Sequence, residues 1–419
     1  LEKKEKLKIM WWANAPYCPT GYGVGTKGVV ERIKDRYDIR LNCFYGLQGK
    51  ALILNDLVHY PQLMTPIGEW EAKQICVNEK PDLMVTLFDI WIAELAEHDR
   101  PGLEFFGDIH KRWVPWIPVD HDPSPVGITN QAKKAYHAVT MSKFGKEALE
   151  EKGVSSTLIP LGTDTSIFKP TEDKTADVDW MIKHSIPMKK SGGVQWDTED
   201  FIIGINAAPK DPVRKNFCAM FDAFKIFLEQ NPDARRDARM YLHTWRTFPQ
   251  SWPLTFLAEE RGIVDYCRVT HEFYMYCGYN EEKMARTTRA WTIFMNLATR
   301  EGFGIPIIEA CACGIPPIVT NFTAMPELAE GHGWTIDGYV GNATLTNLLS
   351  YGMDADVFEA AEAIEEAYNS PDKVKALGEK ARKFSFDYDW DVIAALWSHL
   401  FDKLGEDILW RPLEGRRLA

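Results

Sequence analysis

Short apolar runs recur along this chain, bounded by glycine, proline and polar residues, and they alternate with stretches of helical period. That alternation predicts strands feeding helices, the pattern of βαβ units around a parallel sheet. In the first half the predicted strands are Lys8–Ala13, Asp38–Tyr45, Leu83–Phe88, Trp113–Val119, Tyr136–Ser142 and Ser156–Pro160. In the second half they are Phe201–Asn206, Met240–Trp245, Tyr266–Thr270, Thr292–Leu297 and Pro317–Thr320. Amphipathic helices are predicted over Phe144–Lys152, Cys218–Glu229, Thr255–Arg261, Glu281–Arg289, Val357–Tyr368, Pro371–Phe384 and Asp391–Leu404. The last carries Ile393, Leu396, Trp397, Leu400 and Leu404 on one side. Between the halves, Thr171–Glu199 is polar and reads as a linker with one short helix, Val178–His184.

One stretch organises the rest. Trp291–Leu328 opens on an apolar strand, turns through Glu301-Gly302-Phe303-Gly304, and enters a short helix near Pro306. Proline suits the first helical turn, because the amide it lacks has no partner there. Gly314 is placed to cap that helix before the next strand. A glycine-rich loop leading into a helix leaves backbone N–H groups free at the positive end of the helix dipole, which suits a phosphate. Glu301 and Glu309 bracket the loop, Glu301 within it and Glu309 in the expected first helical turn. An ionised carboxylate accepts several hydrogen bonds, so such a pair can hold vicinal hydroxyls.

Two more strand-to-helix loops have phosphate character. Asn14–Lys27 contains Gly21-x-Gly23-x-Gly25, followed by a helical stretch to about Arg36. The dinucleotide fingerprint wants its third glycine one place later, where Thr26 stands. Ala207–Phe217 carries Lys210, Arg214 and Lys215. A departing diphosphate needs compensating positive charge, which basic side chains and a helix N-terminus supply. At the end of the Trp113–Val119 strand, Asp120, His121 and Asp122 suit either a turn or a ligand site. His243 and His271, at strand ends, read as structural.

Composition narrows the classes. The chain has 419 residues, enough for two or three domains, with 45% hydrophobic residues and a formal net charge of −12. That acidity disfavours a nucleic-acid partner. The eight cysteines show no framework of paired spacings and read as reduced thiols. No apolar run is long enough for a transmembrane helix, and the charged N-terminus lacks the apolar core of a signal peptide. The fifteen tryptophans suit either core packing or a surface for a sugar or lipid.

Glu301-Gly302-Phe303-Gly304-Ile305-Pro306-Ile307-Ile308-Glu309-Ala310, then Cys313-Gly314-Ile315-Pro316, resembles the E-x7-E signature of the retaining, GT-B-fold glycosyltransferases of family 4. Thr323–Leu328 is similar to the segment that follows it in one branch of that family. The Pro19–Gly23 loop is similar to the loop after the first strand in the same branch, and Ser142–Pro170 resembles the end of the first domain. The resemblance implies an α/β GT-B fold: two Rossmann-like domains facing each other across a cleft, with the C-terminal helix crossing back to the first. Residues 1–170, with about 391–419, would form the acceptor-side domain, 171–199 the linker and 200–390 the donor domain.

The implied activity is hexosyl transfer from a nucleotide diphosphate sugar, UDP- or GDP-linked foremost, with retention of anomeric configuration. No metal and no other cofactor is implied, although Asp120-x-Asp122 has the spacing of a metal-binding DxD. Lys215 matches the family's phosphate-binding lysine. The arginine that usually precedes it falls at Pro209 or Lys210, so Lys210 and Arg214 both stand as the second cation. Gly21, Gly23, Gly302, Phe303 and Gly304 would meet the donor, Glu309 the ribose and Glu301 the sugar hydroxyls. His121, or its neighbour Asp120, would face the reacting sugar. The acceptor class stays open among glycan, lipid, protein and small molecule. The expected location is the cytoplasm, with at most a loose hold on the inner membrane face. Two competing functions are a sugar-nucleotide-binding protein without turnover and, on the imperfect glycine fingerprint, an NAD-linked oxidoreductase.

Overall fold

The computed structural model describes residues 6–92, 112–189, 191–249 and 251–410. The chain divides into two compact units: Leu1–Val119, Pro123–Gly162 and Asp389–Ala419 form one, and Asp120–Asp122 with Thr163–Tyr388 form the other.

Among the described residues, the first unit is built on an eight-stranded sheet. Its strands are β1 (Lys8–Asn14), β2 (Asp38–Tyr45), β3 (Leu52–Leu54), β4 (Leu57–Pro61), β5 (Leu83–Thr86), β6 (Trp113–Ile117), β7 (Ala138–Thr140) and β8 (Ser156–Leu158). Their order is β3-β4-β2-β1-β5-β6-β7-β8, parallel apart from the β3/β4 hairpin. β1 lies at the centre, and its Ile9–Ala13 side chains are buried whichever face they point to. A parallel strand covered on both faces reads as a continuous apolar run, which is why KIMWWA announced itself. The chain returns to this unit through a long helix, Trp390–Trp410, packed on the Gly21–Ile33 helix. Gly28 permits that approach, since a Cβ there would lie 2.2 Å from the Trp390 ring. Trp11, Trp116 and Trp397 pack edge to face at 5.1–6.3 Å between centroids. Much of the tryptophan content is therefore core. On the terminal helix, Ile393, Trp397, Leu400 and Leu404 are buried as expected, but Leu396 is 40% exposed and Phe401 takes the core position instead.

The second unit holds a seven-stranded sheet. Its strands are β9 (Ser185–Pro187), β10 (Phe201–Asn206), β11 (Ala238–His243), β12 (Cys267–Thr270), β13 (Ile293–Asn296), β14 (Pro317–Thr320) and β15 (Trp334–Ile336). Their order is β15-β14-β13-β10-β11-β12-β9, parallel except for β9. The stretch expected as a linker is thus part of the fold: Lys174–Lys183 is helical and β9 closes one sheet edge against β12. Its polarity is that of a solvated helix face and a sheet edge. The Phe217–Gln230 helix turns Phe217, Phe221, Phe224 and Phe227 into the core. A hairpin that the apolar pattern did not announce follows β15: β16 (Gly338–Leu345) pairs antiparallel with β17 (Tyr351–Ala355). The eight cysteines are free, and no helix among the described residues is long and apolar enough to cross a membrane.

Candidate functional site

β10 and β13 are parallel neighbours, so the loops leaving their C-terminal ends run side by side. Loop ends of this kind form the ligand crevices of open parallel sheets. After β10 the chain makes a short turn of helix, Pro212–Lys215, capped by the Asp211 carboxylate, and then reverses at Asn216, whose φ is +48°. After β13 the Thr299 N–H donates to the Arg214 carbonyl at 2.7 Å and ties the two loops together.

This brings Arg214 and Lys215 onto Glu301. Arg214 Nη1 donates to Glu301 Oε2 at 2.9 Å, and Lys215 Nζ pairs with Glu301 Oε1. Arg214 Nε also donates to Asp211 Oδ2 at 2.9 Å. Glu301 itself is buried and held at the backbone, its N–H donating to Thr323 Oγ1 at 3.1 Å. Burial opposes its ionisation, but Lys215 and Arg214 outweigh that and hold the carboxyl below its ordinary pKa. Burial, with the Arg214 charge beside it, pushes the Lys215 amine down. Arg214 is driven up despite burial by Glu301, Asp120 and Asp211. Lys210 is not in this cluster: it is exposed, 5.6 Å above the Phe248 ring.

Residues 120–122 join the same group. His121 is 3% exposed, its Nδ1 lies 2.6 Å from Asp120 Oδ1, and its buried Nε2 has no partner among the described residues. The Asp120 carboxyl is kept low, against burial, by His121, Arg214 and Arg300. With a carboxylate on Nδ1, the ring's Nε2 is the atom left to meet a ligand. Arg300 was not foreseen; its Nε lies 3.7 Å from Asp120 Oδ2, beside a glutamate that was. A basic residue directly ahead of Glu301 was the available signal. Asp122 is exposed, while Asp120 faces Arg300 and Arg214.

The glycine loop ends at Gly304, whose φ of +107° starts the Ile305–Ala312 helix with Pro306 in its first turn. The amides of Gly302, Phe303 and Gly304 donate to no described residue. Glu309 is the fifth residue of that helix, so it lies one turn further on than its expected place. Its carboxyl hydrogen-bonds to no described side chain, and burial, with Glu281 nearby, pushes its pKa up to about 8. In the first unit Gly21 and Gly23 lie within the helix rather than in a loop ahead of it, and the Gly23 N–H is taken up by the Thr20 hydroxyl at 3.0 Å. Gly23 therefore has no amide to offer a phosphate in this conformation. His243 bonds to the Thr270 hydroxyl at 2.9 Å, and burial pushes it down to about 4. His271 caps the Glu272–Cys277 helix.

The two sheets and the loop site define a GT-B architecture. Over 96% of this chain and 100% of the other, it matches a sucrose-phosphate synthase from Thermosynechococcus elongatus with a TM-score of 0.69 at 14% identity. It matches Anabaena HepE, solved with UDP and glucose, with a TM-score of 0.67 at 15% identity over 95% and 100%. In sequence, residues 257–384 match the family model described as glycosyl transferases group 1. The O-antigen chain mannosyltransferase B of Escherichia coli is 26% identical over 36% of this chain and 42% of its own length. The MMP α-(1→4)-mannosyltransferase of Mycolicibacterium hassiacum is 22% identical over 59% and 48%. The GDP-mannose:cellobiosyl-diphosphopolyprenol α-mannosyltransferase of Komagataeibacter xylinus is 23% identical over 43% and 42%. The chain thus spans less than half the length of each of these relatives.

Proposed function

We propose that this protein is a glycosyltransferase that moves a hexosyl group from a nucleoside diphosphate sugar to an acceptor hydroxyl, retaining the anomeric configuration and using no metal. The observation that carries this reading is the Arg214–Lys215 pair closed on Glu301 beside a glycine loop with free amides. Breaking a glycosidic bond to a diphosphate leaves negative charge on the departing oxygens. Two fixed cations and aimed amides in a poorly hydrated site stabilise that charge as it grows. The donor's diphosphate takes Arg214 and Lys215 from Glu301 and frees the carboxylate for the sugar hydroxyls. His121 Nε2 faces the sugar, with Asp120 holding Nδ1. Arg214, rather than exposed Lys210, is the second cation.

Retention and metal independence rest on the likeness of the E-x7-E stretch to family 4. The three curated relatives are each named as mannosyltransferases, which favours a mannosyl donor and a growing or lipid-linked glycan as acceptor. A cytoplasmic site of action, at the inner membrane face for a lipid-linked acceptor, fits that chemistry.

Thermal-shift screening against UDP, GDP, ADP, their sugar conjugates and NAD, with and without EDTA, tests the reading. A ligand that binds only the folded chain raises the midpoint by mass action. A rise with one nucleoside diphosphate and its mannose conjugate, unchanged by EDTA, is expected. A rise with NAD alone overturns it.

Glu309 adds a pH signature. With a pKa of about 8 it is mostly protonated at pH 7. Gripping both ribose hydroxyls requires the carboxylate, so donor binding expels a proton. Nucleoside diphosphate affinity should therefore climb between pH 7 and pH 9 and be flat in Glu309→Gln, by isothermal titration. A flat wild-type profile removes the ribose assignment.

A further inference from the structure

The hairpin strand β17 runs along three segments, each next in sequence to a residue of the proposed donor site. The Tyr351 N–H donates to the Asp122 carbonyl at 3.2 Å and makes an isolated antiparallel bridge, one residue beyond His121. The Met353 N–H donates to the Thr299 carbonyl at 2.9 Å, one residue before Arg300 and two before Glu301. Asp354 Oδ1 accepts from Asn216 Nδ2 at 3.2 Å, directly after Lys215. Gly352 lies so close to Thr299 that a Cβ there would fall 3.1 Å from Oγ1 and 3.3 Å from the threonine Cβ. Because the Thr299 N–H already bonds the Arg214 carbonyl, a continuous ladder runs Arg214, Thr299, Met353.

Asp120–Asp122 belongs to the second unit, while the residues on either side belong to the first. Among the described residues the one backbone hydrogen bond to them comes from Tyr351. Their backbone tie to the second unit therefore comes from this strand, beside the Asp120–Arg300 side-chain contact.

We propose that β17 is a positioning strap that sets the Asp120–His121 pair in register with the Arg214–Lys215–Glu301 cluster, so that it governs turnover rather than donor affinity. Tyr351, Gly352 and Met353 are positioning residues. The proposal rests on the glycosyltransferase reading of that cluster. Cation–diphosphate contacts are made by side chains on loops tied together through Thr299, and losing the Tyr351–Asp122 hydrogen bond alone leaves that tie in place. The His121 ring loses its register, and a displacement of about 1 Å at a reacting centre costs about 10²-fold in rate.

Tyr351→Pro removes the N–H that Asp122 accepts, Gly352→Ala presses on Thr299 by a few tenths of an ångström, and Tyr351→Phe keeps the backbone bond as a control. Nucleoside diphosphate affinity within about twofold of wild type, with kcat for sugar transfer down about 10- to 100-fold in Tyr351→Pro and less in Gly352→Ala, is expected. The control should leave both unchanged. Retained kcat in Tyr351→Pro, or affinity and kcat falling together, overturns the strap. If the wild type binds a nucleoside diphosphate but transfers nothing, the functional reading fails, and the strap is judged on the His121 ring resonance alone. That resonance should move in Tyr351→Pro while that of His399, in the other unit, stays; an unmoved His121 signal overturns the proposal.

Discussion

Glu301→Gln should bind nucleoside diphosphate about tenfold more tightly than the wild type while transferring sugar about 10²-fold more slowly. In the free protein the Glu301 carboxylate occupies Arg214 and Lys215, the cations a diphosphate needs. Donor binding is an exchange of counterions, and the incoming phosphates displace a carboxylate held in a poorly hydrated site. An amide of the same shape competes without a charge, so the exchange becomes easier. The same substitution leaves two partly buried cations short of an anion, which costs stability. The unliganded variant should melt below wild type, and saturating nucleoside diphosphate should restore most of the difference. Turnover falls because the carboxylate, once freed, is the group that holds the sugar hydroxyls. Isothermal titration and initial rates read the two halves separately. Affinity that falls together with rate would sink the exchange and leave Glu301 as a purely structural anchor.

Lys215→Ala is expected to lower kcat by about 10²–10³-fold, the usual cost of removing one donor aimed at a developing anion. Arg214→Ala should come close to it. Lys210→Ala should change kcat by less than about twofold, since Lys210 lies exposed above Phe248 and away from Glu301. The three variants together assign the second phosphate cation. Near-normal turnover in Lys215→Ala would remove the lysine from the leaving-group role, and loss of turnover in Lys210→Ala would transfer the role from Arg214. Because burial and Arg214 push the Lys215 amine down, its charge is the more easily lost of the two as pH rises. The Arg214 guanidinium stays charged throughout.

Strands with both faces covered were legible from the chain alone: β10 and β14 have the bounds their apolar runs predict; the bounds of β2, whose burial is mixed, and of the Glu281–Arg289 helix agree likewise. Continuous burial makes local hydrophobicity a faithful record of position in a parallel sheet. The short hairpin of β16 and β17 was invisible because its residues are mixed in polarity and its partners, Asp122 and Thr299, are distant in sequence. The polar Thr171–Glu199 stretch misled for a related reason. A solvated helix and an edge strand bury little, so they look like a connector until the neighbouring strand is seen. Leu396 and Phe401 show the limit of period counting, since one residue of rotation on a long helix decides which side chain enters the core.

The sequence by itself determined the repeated βαβ plan, the glycine loop before Pro306, the two glutamates and the presence of basic residues after Asn206. These are local properties, set by polarity, glycine and spacing along a few residues. Only the tertiary structure decided that Arg214 rather than Lys210 meets Lys215, that Glu301 neutralises both, and that Arg300 stands over the Asp120–His121 pair. Those choices depend on β10 lying beside β13 and on three residues, Asp120–Asp122, joining a unit remote from them in the chain. Charges separated by some ninety residues interact through a few ångströms of poorly hydrated space, and no periodicity in the chain encodes that distance.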